Sequence, residues 1–270
     1  QGTMFEFALS GLRSGVRGRS FQAVFFLGVL LIAIAYLSGF FSPRQPQTVA
    51  LDVGFSGVRF ALILMNLFWV QELVAREIDR RVILFSLTYP VARGSFLAGR
   101  FAAIVVLSAL AATVLGFLLL FAVISAGGGY AQEFPPALGF PFWSTIAGFA
   151  LDAGVVAAFS ICIAALSTVS VLPLALGAAF AVAGKALGAT VDYLARGADG
   201  DVQLMNRFHP LVEAIRWALP DLSRLDWRDW PMYQLAPDLA VLFWSVVMAV
   251  SYIVVLLPCA SLIFSSREFS

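Results

Sequence analysis

The stretch STIAGFALDAGVVAAFSICIAALSTVSVLPLALGAAFAVAGKALGA, residues 144–189, decides the fold. Its only charges are Asp152 and Lys185. Drawn as one helix it would be ~69 Å long, more than twice the ~30 Å hydrocarbon core of a bilayer. The chain must therefore turn back within it. Ser167-Thr168 to Pro173 is the only polar, breaker-containing place to do so. Two spans follow, about 144–166 and 171–189.

The same ruler of ~20 apolar residues per span extends outward in both directions. It predicts a first span at 21–41, ended by Ser42-Pro43. A second lies at 55–73, with Arg59 snorkelling at one end. A third at 101–126 stops at Gly127-Gly128-Gly129, and a sixth covers 239–264. The predicted class is an all-α membrane protein with one six-helix transmembrane domain over 21–270. Composition agrees: 61% of the residues are hydrophobic and 12% charged, with a mean hydropathy of +0.92. A soluble domain is about a quarter charged. The net charge of +1 argues against nucleic acid as a partner. Cys162 and Cys259 both sit in apolar runs and read as small hydrophobes.

Gln1-Gly2-Thr3 reads as the remnant of a protease-site linker (residues 1–3), which places the expected native start at Met4. The first apolar run lacks a small-residue cleavage site and is expected to be retained. Before it, over 4–20, Phe5, Leu9, Leu12 and Val16 recur at helical spacing while Arg13 and Arg17 stand four apart. An amphipathic surface helix is one reading, and a plain extension of span one the other. Gly11, Gly15 and Gly18 weaken the helix in either case.

Arginine placement sets the predicted orientation. Arg13, Arg17 and Arg19 precede span one, and Arg76, Arg80, Arg81, Arg93 and Arg100 follow span two. The segment 127–143 has none. Both termini are therefore expected in the cytoplasm and 190–238 in the periplasm. Within that segment Phe208, Leu211, Val212, Ile215 and Leu219, closed by Pro220, predict a short amphipathic helix. Trp217, Trp227 and Trp230 suit the interface. Residues 219–229 are either an ordered lid or a contact for a periplasmic or lipid-borne partner.

Chemistry is scarce. No G-x-x-x-x-G-K-[ST] is present to cradle nucleotide phosphates. The single His209 is expected outside and Ser95 inside, so they cannot form a nucleophile–base pair, and no His- or Cys-based metal site is expected. The chain reads as no enzyme. Asp152 and Lys185 fall at the same depth on antiparallel neighbours, as an ion-pair brace or as a polar gate. Gly184 and Gly188 form a small-xxx-small pair serving the fold or a dimer. Few other inward positions are polar, Asn66 and Gln71 among them, which favours a lipid-like substrate or none.

The charge-dense feature is 72–100. Glu72 and Arg76, and Glu77 and Arg81, are i,i+4 pairs in the favourable order, predicting that span two continues as helix beyond the membrane. Leu84 and Phe85 precede a break at Pro90, and a new helix begins near Gly94. The result is either a protrusion fitting a partner's groove or a solvated loop.

This run resembles the loop between the second and third helices of ABC-2 type permeases. An acidic residue, a basic stretch, an apolar pair and a Pro-Val-Ser-Arg-like motif correspond to Glu77, Arg80-Arg81, Leu84-Phe85 and Pro90-Val91-Ala92-Arg93. Ala92 replaces the usual Ser, and Arg81-Val82 the usual Gly-Thr. The layout is similar to the small bacterial branch that includes the nitrous oxide reductase copper-maturation and gliding-motility permeases. The resemblance implies a transport function in the bacterial inner membrane, with a coupling loop at 72–93 contacting a cytoplasmic ATPase dimer. The coupling set would be Glu72, Arg76, Glu77, Asp79, Arg80, Arg81, Leu84, Phe85, Pro90 and Arg93. ATP and Mg would be bound by that partner, with no cofactor in this chain. A second permease copy is implied, as a homodimer or with a related permease. Two alternatives stand beside export: transmission of ATP-driven motion to a periplasmic partner, and an intramembrane enzyme, for which no residue constellation is present.

Overall fold

The computed structural model describes residues 4–79, 93–129, 132–195, Pro210 and 219–266. Among them there is helix and no strand. Helix α1 (Met4–Arg17) is followed, after a break at Gly18, by α2 (Arg19–Phe40). Helix α3 (Pro46–Val70) runs through a π-helical turn, Gln71–Ala75, into Arg76–Asp79. Then come α4 (Arg93–Ala126), α5 (Phe140–Leu166), α6 (Leu172–Ala195), the short α7 (Asp229–Tyr233) and α8 (Leu239–Ser266). Six of these are long and apolar enough to cross a membrane. The turn expected at Ser167–Pro173 is present, with Ser167 in extended conformation ending α5 and Ser160 Oγ donating to the Pro173 carbonyl at 2.7 Å.

Helices α3 and α5 form the centre, each with 67% of its span buried, whereas α8 has 11%. Around them stand α2, α4, α8 and α6. The outward faces of this ring carry large apolar side chains such as Phe26, Leu110, Phe121 and Val254, as lipid contact requires. Close approach of α2 and α3 depends on glycine. A Cβ on Gly57 would lie 2.8 Å from that of Leu31, and one on Gly28 would lie 3.2 Å from that of Ala61.

Two boundaries differ from the sequence reading. The helix that carries span two begins before residue 55: α3 starts at Pro46, a residue suited to a first turn where no N–H is needed. The free N–H groups of that turn are capped from elsewhere in the chain: Gln132 Oε1 accepts from Gln47 N at 2.7 Å and Thr48 N at 3.3 Å. Helix α1 does not simply lie on a surface. Gly11 and Gly15 are buried, close to Ala103 and Leu107 of α4, so the glycines that weaken the helix are also what let it dock. The amphipathic helix predicted around 208–219 lies almost wholly outside the described residues.

Gly57→Val is expected to cost about 1–3 kcal/mol through overpacking, read as a lower thermal midpoint in detergent. Gly128→Ala, which meets nothing within 4 Å, should leave the midpoint unchanged.

Candidate functional site

Two polar networks interrupt the apolar bundle, one midway along α3 and one at its far end. The first centres on Arg59, 3% exposed and thirteen residues into the helix from Pro46, or ~20 Å along its axis. Its Nε and Nη2 both reach Asp152 Oδ2 of α5 at 2.6 Å. Nη1 donates to Asp226 Oδ2 at 2.8 Å, and Nη2 also reaches the Leu222 carbonyl at 3.1 Å. The ring of Phe149 lies 5.7 Å from the guanidinium carbon. Asp226 is shared, its other oxygen accepting from Arg228 Nε at 2.8 Å. Arg228 Nη1 continues to Asp52 at 3.0 Å and Ser56 at 2.9 Å. Burial works against the charge on Arg228, but the hydrogen bonds and charges of Asp226 and Asp52 outweigh it and raise its pKa. The series Asp152–Arg59–Asp226–Arg228–Asp52 thus alternates in sign from the bundle centre outward.

The segment supplying Asp226 is an inserted cap. Its 3-10 turn, Leu222–Leu225, buries Leu222 and Leu225 against Val155, Val156, Phe180 and Ala249. Asp221 closes the turn by accepting from Ser223 N at 3.2 Å. Glycines make the slot. A Cβ on Gly148 would lie 2.6 Å from the Leu225 carbonyl oxygen, and one on Gly184 2.7 Å from Leu222. One on Gly188 would collide with Ser223. Thr145 Oγ1 donates to the Trp227 carbonyl at 3.1 Å. Within this chain, then, Gly184 and Gly188 receive the cap rather than a neighbouring transmembrane helix.

The expected Asp152–Lys185 pair is corrected: Asp152 takes Arg59. Starting span two at residue 55 had left Arg59 near the membrane edge, whereas the start at Pro46 carries it to the depth of Asp152. The Lys185 side chain is exposed and has no carboxylate within ion-pair distance among the described residues. Residues 219–229 do pair among themselves, Arg228 with Asp226 and Arg224 with Asp221, as the lid reading expects, but their links to Arg59 and Asp52 were not foreseen. Pro46 as a helix-start residue was the signal that would have moved Arg59 inward.

The second network surrounds the base of 80–92. Glu77 accepts two bonds from Arg100 Nη2, at 2.7 and 2.9 Å, tying the end of α3 to α4. Arg100 Nη1 reaches back to α1, to Ser10 Oγ at 3.2 Å and the Phe7 carbonyl at 3.4 Å. Trp69 Nε1 donates to the Gly15 carbonyl at 3.2 Å, and its ring stacks on Phe21 at 5.3 Å. Glu72 accepts from Ser20 Oγ at 2.7 Å. The predicted Glu72–Arg76 pair is not formed, because Ser20 at the start of α2 occupies Glu72, and Arg76 is exposed. The wide π turn, a geometry frequent at functional sites, holds Gln71 buried with its Oε1 unpartnered among the described residues. Helix continues to Asp79, as expected, and Arg93 opens α4. Arg80, Arg81, Leu84, Phe85 and Pro90 lie outside the described residues.

Between the two networks Asn66 Nδ2 donates to the Leu62 carbonyl at 2.8 Å and to Ser108 Oγ at 2.9 Å, joining α3 to α4. Among the described residues no group of three His, Cys, Asp or Glu is placed to hold a metal ion.

Fold and networks together define a multi-pass helical membrane protein built around one polar-studded central helix. The chain matches no known family model and no curated protein.

Removing Arg59 strands Asp152, and removing the Asp152 charge leaves Arg59 with Asp226 and the Leu222 carbonyl. Arg59→Gln should lower stability by about 3–5 kcal/mol, seen as a large fall in thermal midpoint, and Asp152→Asn should cost less because Asp226 stays on Arg59. Lys185→Gln should stay within about 0.5 kcal/mol. The double variant Arg59→Gln/Asp152→Asn should lose clearly less than the sum of the singles, which a double-mutant cycle measures.

Proposed function

We propose that this chain is the permease subunit of an ATP-driven ABC-2 type exporter in the bacterial inner membrane, with both termini cytoplasmic. A second copy completes the membrane part, and a separate cytoplasmic ATPase pair binds ATP and Mg. The family assignment rests on the resemblance of 72–101. The observation that carries the mechanical side is the Glu77–Arg100 clamp. It joins α3 and α4 at the base of 80–92, so a push on that loop moves two spans together instead of bending one helix end. Through Trp69, Glu72 and Arg100 the same push reaches α1 and α2. Helix α3 then carries displacement ~20 Å or more to Arg59 and the cap.

One observation favours the second reading, transmission of force to a periplasmic partner. The interior polar groups are mostly engaged with one another, and two clefts of about 450 Å³ between the spans are almost wholly apolar. One opens among α4, α5 and α8 at Thr113, Trp143 and Ile253, and the other among α5, α6 and α8 at Phe159, Phe180 and Tyr252. Such walls suit a lipid-like cargo or none.

Co-expression with chromosomal neighbours, mild-detergent pull-down and mass spectrometry test the assignment. Recovery of a soluble chain bearing G-x-x-x-x-G-K-[ST] is the expected result, and a folded chain retaining no ATPase removes the reading. In the recovered complex, Glu77→Gln or Arg100→Gln should leave ATPase binding intact while lowering the effect of the membrane subunit on ATP turnover severalfold. The swap Glu77→Arg/Arg100→Glu should restore part of it.

A further inference from the structure

Helix α1 divides its circumference three ways. At ~100° per residue, Phe7, Gly11 and Gly15 fall on one side. That side is docked on α3 and α4, with Phe7 edge-on to Phe96 at 5.6 Å and Gly15 bonded to Trp69. Phe5, Leu9 and Val16 (i, i+4, i+11) form a second strip, 73%, 40% and 51% exposed. Glu6, Arg13 and Arg17 (i, i+7, i+11) form a third, also exposed, and exposed Arg19 follows beyond the break at Gly18. The apolar and charged strips are offset by ~80°. With its back on the bundle, such a helix places one flank toward acyl chains and the other at headgroup level.

Among the described residues, no carboxylate lies within ion-pair distance of Arg13, Arg17 or Arg19. Exposed Arg76 stands at the same end of the bundle, where Glu72 is taken by Ser20 and Glu77 by Arg100. One acid, Glu6, shares the strip with two arginines, so the strip is net positive. Positive charge flanked by exposed apolar side chains, immediately before a span, is complementary to one surface: anionic lipid in the leaflet where α1 lies.

We propose that Arg13, Arg17 and Arg19 bind the headgroups of anionic lipids, with Phe5, Leu9 and Val16 seated in the acyl region beside them. The inference does not depend on the transport reading. It bears on that reading because the opposite side of α1 is bonded through Ser10 and Phe7 to Arg100. A lipid-held α1 therefore steadies the Arg100–Glu77 clamp.

The test is native mass spectrometry of the full chain, released from micelles doped with equal phosphatidylglycerol and phosphatidylcholine. Wild type should retain phosphatidylglycerol preferentially. Arg13→Gln/Arg17→Gln/Arg19→Gln should weaken that preference at least roughly tenfold. Arg13→Lys/Arg17→Lys/Arg19→Lys should keep most of it, since the attraction is one of charge. All three side chains are exposed, so the folded mass and detergent thermal midpoint should match wild type in each variant. Equal retention of the two lipids by wild type overturns the proposal, as does a preference that survives in the Gln variant. Displacement of the bound lipid by inorganic phosphate alone would mark a free-ion site and overturn it too.

Discussion

A guanidinium held at membrane depth needs acceptors for its donors, and Arg59 draws them from three places at once. Asp152 supplies the central helix α5, Asp226 the carboxylate of the cap, and Leu222 a backbone carbonyl. Only the first of these belongs to a transmembrane helix. The cap therefore has to enter the bundle, and much else follows from that requirement. Glycines 148, 184 and 188 clear the slot, Leu222 and Leu225 are buried with it, and Arg228 ties the outer carboxylates together. Buried ion pairs stabilise little against an apolar alternative, yet they are costly to break singly. Such a pair selects one arrangement of cap and helices and penalises the others.

Helix α3 connects the two ends of the molecule. From Asp52 through Arg59, Asn66, Trp69 and Glu72 to Glu77, it places a polar contact in nearly every second turn, reaching the cap, α5, α4, α1 and α2. A helix fixed at so many points moves as a unit with what it touches. The π turn at Gln71–Ala75 is the irregularity in this column. It sits where the buried part of α3 passes into Arg76–Asp79. Glu77–Arg100 lies beyond that turn and ties the helix end to α4.

The same end of the bundle shows how a weak helix becomes a well-placed one. Gly11 and Gly15 cost α1 intrinsic helicity. They also let its backbone approach Ala103, Leu107 and Trp69 closely enough for side-chain-to-carbonyl bonds. Docking on that side leaves an apolar flank and a basic flank to the surroundings.

The six spans, the turn near Ser167, the stop at Gly127 and the continuation of α3 past the membrane were all legible from sequence. Each depends on local length and hydropathy, because a chain in lipid must satisfy its backbone within its own helices. The glycine pair at 184 and 188 and the charges at 152 and 185 were also visible as exceptions in apolar runs, but their partners were not. Depth counted from a turn placed Asp152 beside Lys185. The choice of Arg59 instead depended on where α3 begins, and that start is capped by Gln132, some eighty residues away. Pairings of this kind link residues up to 176 positions apart, as Asp52 and Arg228 are, and no periodicity in the chain records them. The sequence by itself therefore determined which segments cross the membrane. Only the tertiary structure decided which buried charges meet and that the segment before α8 folds back among the spans, because those outcomes depend on side-chain geometry brought together across the whole bundle.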